Sequence, residues 1–247
     1  MIVAAALPGI PEVHAGADLG ALLADAVGLL ADGDVLVIAH KIVSKAEGRT
    51  VRLADVEPGE RARELAAEHG KDARVLEVIL AESTEIVRSR PGVLICRTPH
   101  GFVCANAGVD ASNAGAPGEL VLLPSDPDAS ARALRRRLRE LTGAAPGIVI
   151  ADSFGRAWRV GQCDIAVGIA GLVALDDWRG RQDSAGRTLD ATIVAVADAA
   201  AAAADLTRGK DTREPAVLVR GLERHVSEGD GPGAAALVRA REDDLFL

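Results

Sequence analysis

The chain has 247 residues, with Lys+Arg 28 against Asp+Glu 36 for a net charge of −8, and 49% of it is apolar. That length can bury a full core, as one large domain or two interlocked smaller ones, and the apolar share excludes a disordered chain. Aromatic residues are only 2% and tyrosine is absent, so the core must be aliphatic, and the chain lacks the stacking platform and basic groove of a nucleic-acid binder.

In chain order, the opening LPGIPEVHAGADL is a Pro/Gly-rich loop, and Asp18 is placed to cap a helix running to about Leu30. The turn Ala31-Asp32-Gly33-Asp34 leads into VLVIAH, read as a buried strand. Residues 60–88 are helical in pattern, with charges interleaved among Leu65, Val75, Leu76, Ile79 and Leu80, until Pro91-Gly92 breaks the run. VLICR and GFVCANAG then read as paired strands around the turn Thr98-Pro99-His100-Gly101.

A polar loop, GVDASNAGAPGE, leads to a strand ELVLLP. Residues 130–141 form an amphipathic basic helix with Leu134, Leu138 and Leu141 on one face, so Arg135, Arg136, Arg137 and Arg139 are expected on a solvated face without a site role. The strand GIVIA delivers Asp152 and Ser153 into a turn, with Arg156 and Arg159 close behind. From Asp164 to Leu172, Ile165, Val167 and Ile169 alternate with Ala166, Gly168 and Ala170, which puts branched residues on one side of a strand and small ones on the other. Close packing of another element is the expected use of that bare side. Ala191–Ala204 reads as an Ala-rich helix, Pro215–Gly221 as a strand, and the tail as a short helix ending EDDLFL. The fold class is α+β or mixed α/β, with no linker and no repeat; the pattern does not choose between the two.

Asp152 follows one strand directly and Asp110 lies in a loop after another. Mg²⁺ or Mn²⁺ on a nucleotide takes one or two carboxylates, phosphate oxygens and water, which two aspartates at neighbouring strand ends can serve. Either one alone reads as a turn aspartate bonded to its own backbone; the pair, in glycine- and hydroxyl-rich surroundings, favours metal. Lys41 and Lys45 follow a strand and can face the same cleft as point charges for phosphate, or they are solvated loop lysines. Arg156 and Arg159 can fork onto phosphate or carboxylate oxygens, or form ion pairs with Asp164, Asp176 or Asp177. Trp158 and Trp178 are expected to be packing residues.

No G-x-x-x-x-G-K-[ST] is present, and no strand leads into the loop Gly229–Gly233, so neither a P-loop nor a dinucleotide fold is expected. G-x-S-x-G and His-Glu-x-x-His are absent as well. Cys96, Cys104 and Cys163 have no metal-site spacing and are read as reduced thiols of a cytoplasmic protein. The start lacks a signal-peptide pattern, and no apolar run is long enough to span a membrane.

Taken in order, GIPEVHAGADL, DGDVLVIAHKIVSKAEGR, AGVDASN, LLPSDPDASA, IADSFGRAWRVGQCDIAVGIAGL, ADLTRGK and the terminal DDLFL resemble the coenzyme F420-0:L-glutamate ligase family, closest to the ligase half of the two-domain actinobacterial version. The resemblance covers nearly the whole chain as a single γ-glutamyl ligase domain, without the C-terminal reductase domain of that version. It implies an intertwined homodimer with mixed sheets. It also implies a GTP-dependent enzyme requiring Mn²⁺ or Mg²⁺, with K⁺ as a further candidate ion, that adds L-glutamate, and further γ-linked glutamates, to coenzyme F420-0.

By that resemblance Asp110, Asp152 and Ser153 are metal ligands, Ser153 standing for the commoner threonine. Ile10, Pro11, Glu12, Val13, His40, Lys45, Asn113 and Gly209 are nucleotide contacts, His40 departing from a hydroxyl residue at its position. The Thr207-Arg208-Gly209-Lys210 turn is expected to close over the phosphates; an acidic or amide metal ligand of some relatives is missing if Lys210 occupies its place. An acyl phosphate of the substrate carboxylate is the implied intermediate, with Lys45, Arg156 and Arg159 as catalytic residues. Two other readings are an inactive metal-nucleotide-binding regulatory module and an amide ligase for another acid acceptor.

Overall fold

The structure is a computed structural model that describes residues 1–244. Leu245, Phe246 and Leu247 of the expected tail helix lie outside the described residues; ahead of them Arg241–Asp243 makes one 3-10 turn.

Strand β1 (Val3–Ala6) precedes the opening loop. Helix α1 (Leu19–Val27) starts where the Asp18 carboxylate accepts from the Ala21 amide at 3.1 Å, a cap worth about 1 kcal/mol. It ends ahead of Leu30 because Gly28 turns to φ 67°. In β2 (Val35–Ala39), Val35, Leu36, Val37 and Ile38 are all fully buried, so this strand is covered on both faces. Helix α2 (His40–Ala46) begins without any loop. His40, Lys41 and Lys45 therefore sit on a helix and not, as the pattern suggests, on a strand end and the loop after it.

Beyond β3 (Thr50–Arg52), the expected single helix over 60–88 is three elements. They are α3 (Glu60–His69), α4 (Ala73–Ala81) and β4 (Glu85–Arg90). Gly70, left-handed at φ 63°, stops α3, and the Asp72 side chain caps α4 by accepting from the Arg74 amide. β4 is an edge strand whose exposed charges (Arg88, Arg90) mimic a polar helix face. It pairs with β5 (Val93–Arg97), and β5 with β6 (Val103–Ala105), which brings Cys96 and Cys104 opposite one another as free, buried thiols.

The chain continues through β7 (Glu119–Val121), shorter than expected, to α5 (Pro127–Thr142). The hairpin β8 (Gly147–Arg156) and β9 (Arg159–Ala170) follows. Asp152 and Ser153 lie within β8, not in a turn, because the antiparallel pairing with β9 runs on to Arg156↔Arg159. Next come β10 (Leu175–Asp177), β11 (Ile193–Ala195), α6 (Val196–Asp205) and β12 (Ala216–Arg220). The expected helix from Ala191 starts only at Val196, since Ile193–Ala195 is taken up by pairing with β10.

The five-stranded sheet has the order β1-β12-β2-β8-β9, with β2 and β8 parallel and the other neighbours antiparallel. A parallel pair needs a long crossover, and here the crossover holds α2 through α5, including the sheets β4-β5-β6 and β3-β7. Two hydrophobic clusters result. One, around Leu36, Ile38, Ile148 and Ile150, belongs to the large sheet; the other, around Leu65, Leu76, Ile79, Leu94 and Leu120, lies within the crossover. Among the described residues no helix is long and apolar enough to cross a membrane.

Two side chains depart from expectation. Arg135 is 5% exposed, not solvated: its guanidinium donates to the carbonyls of Pro146, Ser227 and Glu228 and to Asp230, tying the 227–230 loop to α5. Trp158, expected in packing, is 78% exposed at the tip of the β8–β9 hairpin. The bare side of β9 does serve close packing. A Cβ on Gly168 would lie 2.4 Å from the Pro127 carbonyl oxygen at the start of α5. Gly168→Ala is therefore expected to destabilise the chain by about 2 kcal/mol, read as a lowered urea midpoint. Gly155→Ala, on β8 where an added Cβ meets nothing within 4 Å, is the control, expected within about 0.5 kcal/mol of the parent. Equal effects of the two would refute the packing account.

Candidate functional site

The parallel register Ala39↔Ala151 ends β2 and pairs it with the middle of β8. The next residues, His40 and Asp152, therefore emerge side by side, with Nε2 of His40 3.4 Å from Oδ1 of Asp152. His40 is 2% exposed. Its Nδ1 lies 3.4 Å from the Ser44 hydroxyl, while Nε2 is buried without an aligned hydrogen bond. Lys41, one residue on, sends its ammonium to Oδ2 of Asp110 at 2.7 Å and to the hydroxyl and carbonyl of Ser112. The two aspartates, 42 positions apart in sequence by number, are thus held against consecutive residues of one helical turn. One turn further, Lys45 reaches Glu12 at 2.5 Å.

Asp110 is placed by its backbone, which pairs with Val121 in both directions. The three residues Asn106, Ala107 and Gly108 lead toward it in left-handed conformations, with φ of 53°, 54° and 74°. Burial pushes its carboxyl up, but Lys41 and the amide and hydroxyl of Ser112 outweigh burial and hold it below the ordinary value. It is ionised at neutral pH.

Beside Asp152, the Ser153 hydroxyl donates to Oδ1 of Asp164 at 2.5 Å, across the β8–β9 register Ser153↔Asp164. Asp164 is 1% exposed, and its Oδ2 accepts from the Arg208 guanidinium at 2.5 Å. Lys210 adds its ammonium 3.0 Å from Ser153 Oγ and 2.7 Å from Asp205. Burial raises the Asp164 carboxyl, and Ser153, Arg208 and Lys210 together bring it below its usual range. Sequence reasoning treats Asp164 only as an ion-pair partner for Arg156 or Arg159. The one available signal is an ionisable residue opening an otherwise apolar alternating run; its partner on a distant turn has no local trace.

The other expected residues divide. Glu12 joins Lys45, whereas the Ile10 and Val13 side chains are buried in the core, so those positions offer a ligand only backbone. Pro11 is exposed beside them. Asn113 lies on the exposed loop after Asp110 at φ 53°, and the Gly209 carbonyl accepts from the Thr212 hydroxyl at 3.1 Å in the turn with Arg208 and Lys210. Arg156 and Arg159 are brought together at the hairpin tip, four and seven residues from Asp152, so Arg156 is roughly 13 Å along the strand at ~3.3 Å per residue. Arg156 donates to the Val160 carbonyl there. Within one chain they do not join the other groups.

Asp110 and Asp152 are each held against a residue of α2, while Ser153, next to Asp152 on β8, turns its hydroxyl to Asp164 and Lys210. Carboxylates and hydroxyls are the hard oxygens that Mg²⁺ or Mn²⁺ takes when phosphate and water complete its shell. The orphaned His40 Nε2 against Asp152 marks a polar pocket not closed by the chain's own hydrogen bonds. Among the described residues no three His, Cys, Asp or Glu side chains gather as a ready metal cage, and the donor set suits a cation that arrives with phosphate. The depression lined by Ala24, Leu29 and Leu141 and the one lined by Arg52, Arg74 and Glu119 hold none of these groups. His40 and Asp152 lie at the carboxyl end of the parallel pair.

The chain matches the model of the F420-0:Gamma-glutamyl ligase family over residues 9–221. It is 48% identical over 237 residues to the coenzyme F420:L-glutamate ligase of Methanopyrus kandleri, covering 95% of this chain and 93% of that protein. It is 44% identical over 243 residues to the protein of the same name from Methanothermobacter thermautotrophicus, covering 96% of each. The protein of that name from Archaeoglobus fulgidus is 44% identical over 239 residues, with 96% of this chain and 93% of that one covered.

The lowered carboxyl of Asp164 makes stability depend on pH in a definite sense. Its folded pKa lies below the unfolded value near about 3.9. The ion pair's contribution is therefore present above that value and lost as pH falls through the folded pKa. Asp164→Asn is expected to lose about 3 kcal/mol at pH 7, because Arg208 is left buried without its partner. The gap to the parent should narrow below about pH 4, as followed by urea unfolding at pH 7 and pH 3. A gap unchanged with pH would refute it.

Proposed function

Because this chain belongs to the F420-0:gamma-glutamyl ligase family, we propose that it is a GTP-dependent ligase joining L-glutamate to coenzyme F420-0, and then further γ-linked glutamates, through an acyl phosphate. The observation that carries the reading is the convergence of Asp110 and Asp152 on Lys41 and His40, consecutive residues at the carboxyl end of the parallel strand pair. Oxide is a poor leaving group from a carboxylate. Transfer of the γ-phosphoryl group to that oxygen makes phosphate the leaving group; the glutamate α-amine then attacks the carbonyl carbon, the C–O bond to phosphate breaks, and the amine gives up a proton. GDP, phosphate and the amide are released.

Every reactant is an anion, so the chain's residues have two tasks, neutralising charge and lining up attacker and leaving group. Asp110, Asp152 and the Ser153 hydroxyl would hold Mn²⁺ or Mg²⁺, which would supply positive charge to offset that of the phosphates. Lys45 is released from the exposed carboxylate of Glu12 to counter charge on the triphosphate; Lys41 does the same beside Asp110. Backbone groups at Ile10, Pro11 and Val13, with Asn113 and Gly209, contact the nucleotide. His40, a further nucleotide contact on this reading, is buried with Nε2 3.4 Å from the Asp152 carboxylate, which itself accepts from the Ser153 amide.

Arg156 and Arg159 serve an acid group of the acceptor only where the hairpin tip meets substrate. The proposed homodimer suits that, since Val160, 94% exposed, is apolar surface for a second copy to cover.

Asp152→Asn is expected to cut amide formation by more than about a hundredfold, a loss of several kcal/mol of charge stabilisation, with the urea midpoint little changed. The readout is mass spectrometry of the product after incubation with coenzyme F420-0, L-glutamate, GTP and Mn²⁺. Near-parental turnover would remove Asp152 from the site. A parent that binds GTP but forms no amide would favour the regulatory module. Lys45→Met should raise the KM for GTP about tenfold or more, as loss of one desolvated phosphate contact implies; an unchanged KM would place Lys45 outside the nucleotide contacts.

A further inference from the structure

Ser153 has one proton to donate, and the structure shows where it goes. Asp164, directly opposite on β9, is buried to 1% exposure and accepts that proton through Oδ1. Its other oxygen is held by Arg208, itself 8% exposed and fixed in turn by donating to the Pro215 carbonyl. With the proton committed inward, the remaining lone pairs of Ser153 Oγ face outward. A cation already sits there: the Lys210 ammonium, 64% exposed, lies 3.0 Å from that oxygen and 3.5 Å from Asp164 Oδ1.

We propose that Asp164, backed by Arg208, is a positioning residue: it pins the Ser153 hydroxyl proton inward so that the oxygen presents only lone pairs to a cation beside Asp152. Without it the hydroxyl rotates freely and spends part of its time pointing a proton at the cation. The inference rests on the reading of Ser153 as a metal ligand given above. Asp164 touches neither metal nor substrate, and partners at this remove typically set metal affinity by about 10- to 100-fold.

The experiment is direct titration of Mn²⁺ in the presence of GTP, following free Mn²⁺ by electron paramagnetic resonance. The proteins compared are the parent, Asp152→Asn, Ser153→Ala, Asp164→Asn and the Ser153→Ala/Asp164→Asn pair. Ser153→Ala and Asp164→Asn are each expected to raise the Kd about tenfold, and the double variant no further than either alone, because both remove the same oriented oxygen. A role of Asp164 in stability only would leave the Kd of the folded protein unchanged, and that result overturns the proposal. So does a double variant whose loss is the product of the single ones, since Asp164 would then act apart from Ser153. Should Asp164→Asn fail to fold, Asp164→Asn with Arg208→Gln, which leaves no buried charge, is read by the same criteria. Failure of the underlying site reading looks different: the parent and Asp152→Asn would then bind Mn²⁺ equally, or neither would bind it.

Discussion

The parallel pairing of β2 with β8 is the constraint on which the site depends. Residues Val35 to Ala39 face Gly147 to Ala151 one for one, and the residues that follow are His40 and Asp152. A slip of one residue would turn every side chain of one strand to the opposite face. Val35 to Ile38 and Gly147 to Ala151 are buried, with Leu36, Ile38, Ile148 and Ile150 at 0% exposure, so a slip would disrupt packing on both faces of the sheet. The hydrophobic core thereby sets the position of two polar groups that it does not itself contain. Because α2 begins at His40 with no loop, the placement passes without slack to Lys41 and Lys45.

The charges around that point fall into two kinds. Lys45 with Glu12, Lys41 with Asp110 and Lys210 with Asp205 each include a partner that is substantially exposed. Such pairs contribute little net stability, so parting them costs the fold little. Asp164 with Arg208 is buried on both sides and cannot be taken apart without leaving a charge in the core. An acidic chain of net charge −8 offers phosphate no general attraction. Against that overall charge, Lys41 and Lys45 set their ammonium groups on one helix, and Lys210 sets its own against the buried pair.

Much of this was legible before the coordinates. The strand VLVIAH, the Asp18 cap, the pairing of VLICR with its successor and the tight packing at Gly168 all follow from period, turn chemistry and side-chain size. Asp110 and Asp152 stand out by their hydroxyl- and glycine-rich surroundings, and the structure sets them against the consecutive residues Lys41 and His40. The misses share a cause. Residues 85–90 and 193–195 are short pieces whose strand state is set by a partner, not by their own pattern. The extension of β8 through Asp152 is likewise a property of the β9 pairing. The Asp164–Arg208 and Arg135–Asp230 pairs join residues 44 and 95 positions apart, which no local window contains.

The two metal-binding candidates come from different cores, and this bears on how the site is kept. Asp152 stands on the large sheet, while Asp110 follows Ala107 and Val109, which belong to the cluster within the crossover. A loop bridging two cores could let its aspartate drift, yet Asp110 is tied by both backbone hydrogen bonds to Val121, which is fully buried. The left-handed run at Asn106 and Ala107 costs on the order of 1–3 kcal/mol per non-glycine residue and persists because Ala107, 2% exposed, is locked in that core. The crossover's own core thus restrains a strained turn, the turn aims Asp110, and Lys41 closes the gap back to the large sheet. The seam between the two cores is thus bridged by the partly exposed pair of Lys41 with Asp110, which can part without either core changing its packing.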